Sequence, residues 1–99
     1  ATAGAYAYAT GELKDTLNAS PQQTRRAIES ALQRLNLRVL SQSADGLTGQ
    51  YELRTGDERR VLIRYQRVAD LATKVTIRVG VLGDPELSNA ILREIEIAL

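Results

Sequence analysis

Between Leu37 and Val79 the chain repeatedly alternates apolar and polar residues with a period of two, and this constrains its fold more than any other feature. Leu47, Gly49, Tyr51 and Leu53 alternate with Thr48, Gln50, Glu52 and Arg54. Val61, Ile63 and Tyr65 alternate with Arg60, Leu62, Arg64 and Gln66, and Thr73, Val75, Ile77 and Val79 with Lys74, Thr76 and Arg78. Leu37–Ser43 reads as a strand ahead of these. Asp45-Gly46 is a strong hairpin signal, Thr55-Gly56-Asp57-Glu58 a second turn, and Val68–Leu71 a third connection. Strands with one apolar and one polar face predict an antiparallel sheet covered on one side only.

Two helices frame this block. Ser20-Pro21-Gln22-Gln23 supplies a cap, a proline for the first helical position and the glutamine of a capping box. The helix it starts runs to about Leu35, with Ala27, Ile28, Ala31, Leu32 and Leu35 as its apolar stripe and Asn36 as its stop. Asp84-Pro85-Glu86 opens a second helix by the same logic, with Leu87, Ala90, Ile91, Ile95 and Ala98 inward, Leu92 and Leu99 widening the stripe and Ile97 outside. At the start of the chain, Ala5 to about Leu13 reads as one strand, bent or bulged at Gly11. Lys14–Ala19 continues it as loop or strand, with Leu13 and Leu17 turned to the core. The predicted order is β-α-β-β-β-β-α, an α+β two-layer sandwich in which both helices cover one face of a mainly antiparallel sheet. The 99 residues make one domain, with residues 1–13 as an N-terminal strand or arm and 20–99 as the body.

Composition narrows the chemistry. There is no Cys and no His, which removes thiol chemistry, disulfides and the commonest general base and transition-metal ligand. Net charge is +1, and the basic side is almost entirely Arg, with only Lys14 and Lys74 as lysines. No apolar run approaches the roughly 20 residues that span a bilayer as a helix.

Four features invite a functional reading. The open sheet face would carry Glu52, Arg54, Arg60, Arg64, Lys74 and Arg78; of these Arg60, Arg64, Lys74 and Arg78 are the candidate contacts for anionic polymers or lipid headgroups. RNA-binding sheets place aromatics on that face for base stacking, but Tyr51 and Tyr65 share the register of the core, so specific nucleic-acid binding is not expected. The acidic pairs Asp57/Glu58 and Asp84/Glu86 have ordinary roles in a turn and a helix first turn, while Glu94 and Glu96 point apart. No acid–base site, metal site or cofactor is expected from them. Gly80-Val81-Leu82-Gly83 leads into a helix N-terminus, but the Asp84 carboxylate occupies the place an anion would take. The uncharged opening Ala3-Gly4-Ala5-Tyr6-Ala7-Tyr8-Ala9-Thr10 is either an edge strand or an adhesive arm that pairs with another copy or a partner.

Gly4-Ala5-Tyr6-Ala7-Tyr8, then Gly11-Glu12-Leu13, and the closing Ile77-Arg78-Val79-Gly80-Val81-Leu82-Gly83-Asp84 together resemble a family of small bacterial lipoproteins classed only as a domain of unknown function. The resemblance implies an exported envelope protein, periplasmic or attached to the outer membrane, acylated just upstream of Ala1, and it brings no catalytic residue. This chain has no Cys at its start. A first residue other than Met reads as a mature end left after a targeting segment is removed, or as a trimmed chain. The sequence thus points to a non-enzymatic envelope domain in a structural or adaptor role, with envelope proteins or further copies as partners. The alternatives are a subunit of an extracellular filament or oligomer joined by strand exchange through Ala3–Thr10, which would place the protein outside the cell, and a binding module for anionic envelope polymers or lipid headgroups.

Overall fold

The computed structural model describes residues 4–99. Six strands form one antiparallel sheet in the order β1-β2-β6-β5-β4-β3: β1 (Ala5–Ala7), β2 (Glu12–Leu17), β3 (Arg38–Ala44), β4 (Thr48–Arg54), β5 (Arg60–Ala69) and β6 (Ala72–Val79). Helices α1 (Pro21–Arg34) and α2 (Pro85–Ala98) lie together against one face. The predicted order β-α-β-β-β-β-α holds, with the first β element resolved into a hairpin. After β2 the chain crosses the helical face as α1 and begins a meander at the opposite edge. That meander returns strand by strand until β6 fits between β5 and β2.

Local chemistry explains the boundaries. At Ser20 the hydroxyl accepts from Gln23 N–H at 3.1 Å, and the Gln23 side chain accepts from Ser20 N–H at 2.9 Å, completing the capping box. Past the end of α1, Asn36 takes the left-handed conformation, φ 54°, that stops a helix. The Asp84 carboxylate caps α2 by accepting from Leu87 N–H at 3.0 Å.

The register puts Leu13, Ile77, Ile63 and Tyr51 in one row across four strands on the helical face, with Val79, Val61 and Leu53 in the next. With Ile28, Ala31, Ile91 and Ile95 they make a fully enclosed core. Tyr51 and Tyr65 are buried in it, as their register requires. Thr73, also buried, donates from its hydroxyl to the Ala19 carbonyl at 2.8 Å and ties β6 to the segment entering α1.

Two expectations need correction. Residues 5–13 are not one strand: β1 ends at Ala7, and the chain reverses through Tyr8–Gly11, where Gly11 has φ +71°, before β2 runs back. Val68–Leu71 is not a connection, because β5 continues to Ala69 and β6 starts at Ala72, leaving a tight turn of Asp70 and Leu71. The strand expected over Leu37–Ser43 forms as β3; it is exposed along its whole length, carries a bulge between Val39 and Ser41 and lies at the outer edge of the sheet opposite β1.

Candidate binding face

The even-numbered residues of β2, β4, β5 and β6 project from the uncovered side of the sheet. Pairing aligns Lys14, Thr76, Arg64, Gln50 and Ser43 in one row across five strands, and Thr16, Lys74, Gln66 and Thr48 in the next. The resulting trough, about 560 Å³, is lined by Lys14, Arg64, Lys74, Gln50, Gln66 and Thr76, with Ser43 and the Asp45 turn at its rim.

The sequence-predicted cations divide into two groups here. Arg64 and Lys74 lie in the trough; Arg60 and Arg78 do not. Arg60 Nη2 pairs with Glu52 Oε2 at 2.6 Å, and Arg78 Nη2 donates to the Val81 carbonyl at 2.7 Å. Arg64 Nη2 meets Glu12 Oε2 at 2.7 Å, and the other Glu12 oxygen lies 3.8 Å from Lys14 Nζ. One carboxylate thus serves two cations. Lys74 makes no ion pair among the described residues, so the trough keeps net positive charge. Lys14 is the residue sequence reasoning missed. The signal available was Leu13/Leu17 alternating with Lys14/Thr16, obscured by Asp15 on the core-side register.

The candidate assembly arm divides as well. Ala3 lies outside the described residues. Gly4 packs so closely on Leu13 and Leu92 that a β-carbon there would sit 2.9 Å from each. Ala5, Tyr6 and Ala7 pair with Lys14, Leu13 and Glu12 of their own chain, and Tyr6 packs against the core. Tyr8, Ala9 and Thr10 form the turn.

The resolved shifts in ionisation leave these groups in their resting forms at neutral pH. Burial, reinforced by the hydrogen bond its hydroxyl donates to Glu29 Oε2 at 3.1 Å, pushes the Tyr51 phenol up, and burial raises that of Tyr65. Asp45 is lowered by the N–H groups of Thr48 and Leu47, Asp57 by the Thr55 hydroxyl, and Asp84 by the Arg59 guanidinium. Among the described residues no three His, Cys, Asp or Glu side chains converge as a metal site, and no helix is long and apolar enough to cross a membrane.

A family profile described as "Protein of unknown function (DUF3568)" matches residues 1–98. The chain belongs to this family. No curated protein matches the chain. Among solved structures, the DUF3568 domain is similar to the di-domain ARO/CYC StfQ from the steffimycin biosynthetic pathway, at 14% identity and a TM-score of 0.47. That likeness covers 88% of this chain but only 42% of the other.

Proposed function

We propose that this DUF3568 domain is a non-enzymatic module of the bacterial cell envelope that works by surface contact, with its open sheet face as a receptor for anionic polymer. The observation that carries the reading is the uncovered trough, where Lys14, Arg64 and Lys74 stand among the neutral hydrogen-bonding side chains of Gln50, Gln66 and Thr76. Cations spaced across several strands suit an extended ligand with repeated charges, and amide and hydroxyl groups between them supply donors and acceptors along its length. The envelope location rests on the resemblance of the opening and closing segments to small lipoproteins.

The test is titration of the protein with short-chain polyphosphate at low salt. A charge pair at 4 Å in water is worth about 1 kcal/mol, or about fivefold in affinity. Lys14→Ser and Lys74→Ser should each weaken binding by about that factor, and the pair by about 25-fold. Equal affinity for wild type and Lys14→Ser/Lys74→Ser removes the open face from the account.

A second reading, self-assembly, is favoured by one observation. Both outer strands leave one side unpaired, but β1 spans only Ala5–Ala7, whereas β3 presents a longer edge whose stretch Val39–Ala44 is uncharged and exposed. Strand pairing between copies would use β3, and Ser43→Lys should then abolish concentration-dependent association in sedimentation. Association unaffected by Ser43→Lys would refute this pairing.

A further inference from the structure

Two turns separated by some seventy residues of sequence meet at one end of the sheet. In the β1–β2 turn the N–H groups of Thr10 and Gly11 both donate to the Ala7 carbonyl, at 3.2 and 2.8 Å. Gly11 abuts Gly83 of the β6–α2 turn: a β-carbon on Gly11 would lie 3.1 Å from Gly83 Cα, and one on Gly83 would lie 2.7 Å from Gly11 Cα. Only glycine at both positions permits this approach. The joined turns hold Tyr8, Val81 and Leu82 in solvent at 80%, 84% and 92% exposure, the highest among the large apolar side chains of the described residues.

These side chains are held in place, although they add little to the core. The Tyr8 ring stands edge-on to Tyr6 with centroids 4.9 Å apart, and Tyr6 is anchored on the core. Arg78 fixes the other turn through its hydrogen bond to the Val81 carbonyl. Neither Ala5–Gly11 nor Val79–Gly83 contains a charged residue. Isolated exposed apolar residues are ordinary, but an aromatic and two adjacent aliphatics raised on braced, uncharged turns mark a contact surface.

We infer that this apex is a lipid-contacting tip: Val81 and Leu82 enter the acyl boundary of a membrane surface while the Tyr8 phenol stays at headgroup depth. Of the nearby cations, Arg59 is matched by Asp57 and Asp84, Arg60 by Glu52, and Arg78 is held against the Val81 carbonyl beneath the tip; neither turn itself carries a charge, so the contact is apolar in origin. It therefore survives high salt, unlike polyanion binding on the open face, and stands independently of that reading. Three side chains give a weak, reversible contact that orients the domain.

The chain contains no Trp, so Leu82→Trp places a unique reporter at the tip. Millimolar phosphatidylcholine vesicles, with or without phosphatidylglycerol, should shift the emission of that indole to the blue, and bromine-labelled lipid should quench it, at low and high salt alike. In the otherwise native chain, Val81→Ser and Leu82→Ser should each lower vesicle partition about tenfold, with an unchanged melting temperature. An indole that stays in water, or equal partition of wild type and Val81→Ser/Leu82→Ser, overturns the proposal. So does lipid-free self-association that disappears in Val81→Ser/Leu82→Ser, which would assign the tip to a protein contact.

Discussion

Gly49→Ala tests the packing beneath the trough by the sign of its effect. Gly49 sits in β4 directly opposite Tyr65 of β5, on the helical side of the sheet. A β-carbon at position 49 would occupy the space of the Tyr65 ring at its Cε2, Cζ and Oη atoms. In open space the substitution would stabilise the fold by about 0.4–1 kcal/mol, because alanine restricts the unfolded chain. Here the ring must swing out of a buried position, and overpacking of this kind costs about 1–3 kcal/mol. The net expectation is a loss of about 1–2 kcal/mol, seen as a melting temperature lowered by about 10 °C for a domain this size. Thermal and urea unfolding followed by circular dichroism would measure it. Tyr65→Leu removes the obstructing atoms, so in that background Gly49→Ala should become neutral or stabilising. A stabilising Gly49→Ala in the native background, or the same cost in both backgrounds, would refute the reasoning.

Three further outcomes are expected. Thr73→Val removes the buried hydroxyl bonded to the Ala19 carbonyl, leaving that acceptor unpaired at a cost of about 1–3 kcal/mol in urea unfolding. Ser88 and Thr24 carry buried hydroxyls that find no hydrogen-bond partner among the described residues, so Ser88→Ala should be neutral or raise the melting temperature by a few degrees, the better helix former also helping. The Asp84 carboxyl is held below its ordinary value by Arg59 and by Leu87 N–H, so the stability it confers is full above about pH 4 and is lost as pH falls through its folded-state value. Asp84→Asn keeps a capping oxygen but not the charge, and its melting temperature should fall less steeply on acidification than that of wild type.

What the sequence revealed and what it hid follow from how local each determinant is. Ser20-Pro21 with Gln23, Asn36, and Asp84-Pro85 act within a few residues of themselves, and each operates in the structure as its spacing implies. Strict alternation from Leu47 to Val79 likewise set the faces of β4, β5 and β6, burying Tyr51 and Tyr65 and exposing Arg64 and Lys74 on the open side. The opening was harder. Ala5, Ala7 and Ala9 carry almost no hydrophobic contrast, and the reversal at Tyr8–Gly11 depends on Gly11 meeting Gly83, a contact no local pattern contains. Asp15 on the core-side register of β2 obscured the strand that brings Lys14 to the face. The exposure of β3 arises because it lies at the sheet edge beyond the helices, a matter of topology and not of composition. The trough on the polar face and the separation of Arg60 and Arg78 from Arg64 and Lys74 are products of pairing across five strands.

The most direct test of the open-face account is a residue-by-residue map of amide chemical-shift changes on adding short-chain polyphosphate to the whole chain. The account predicts shifts concentrated on Lys14, Gln50, Arg64, Gln66, Lys74 and Thr76, fading as salt rises. Shifts confined to the helices or to the 55–59 turn, or none at all, would contradict it.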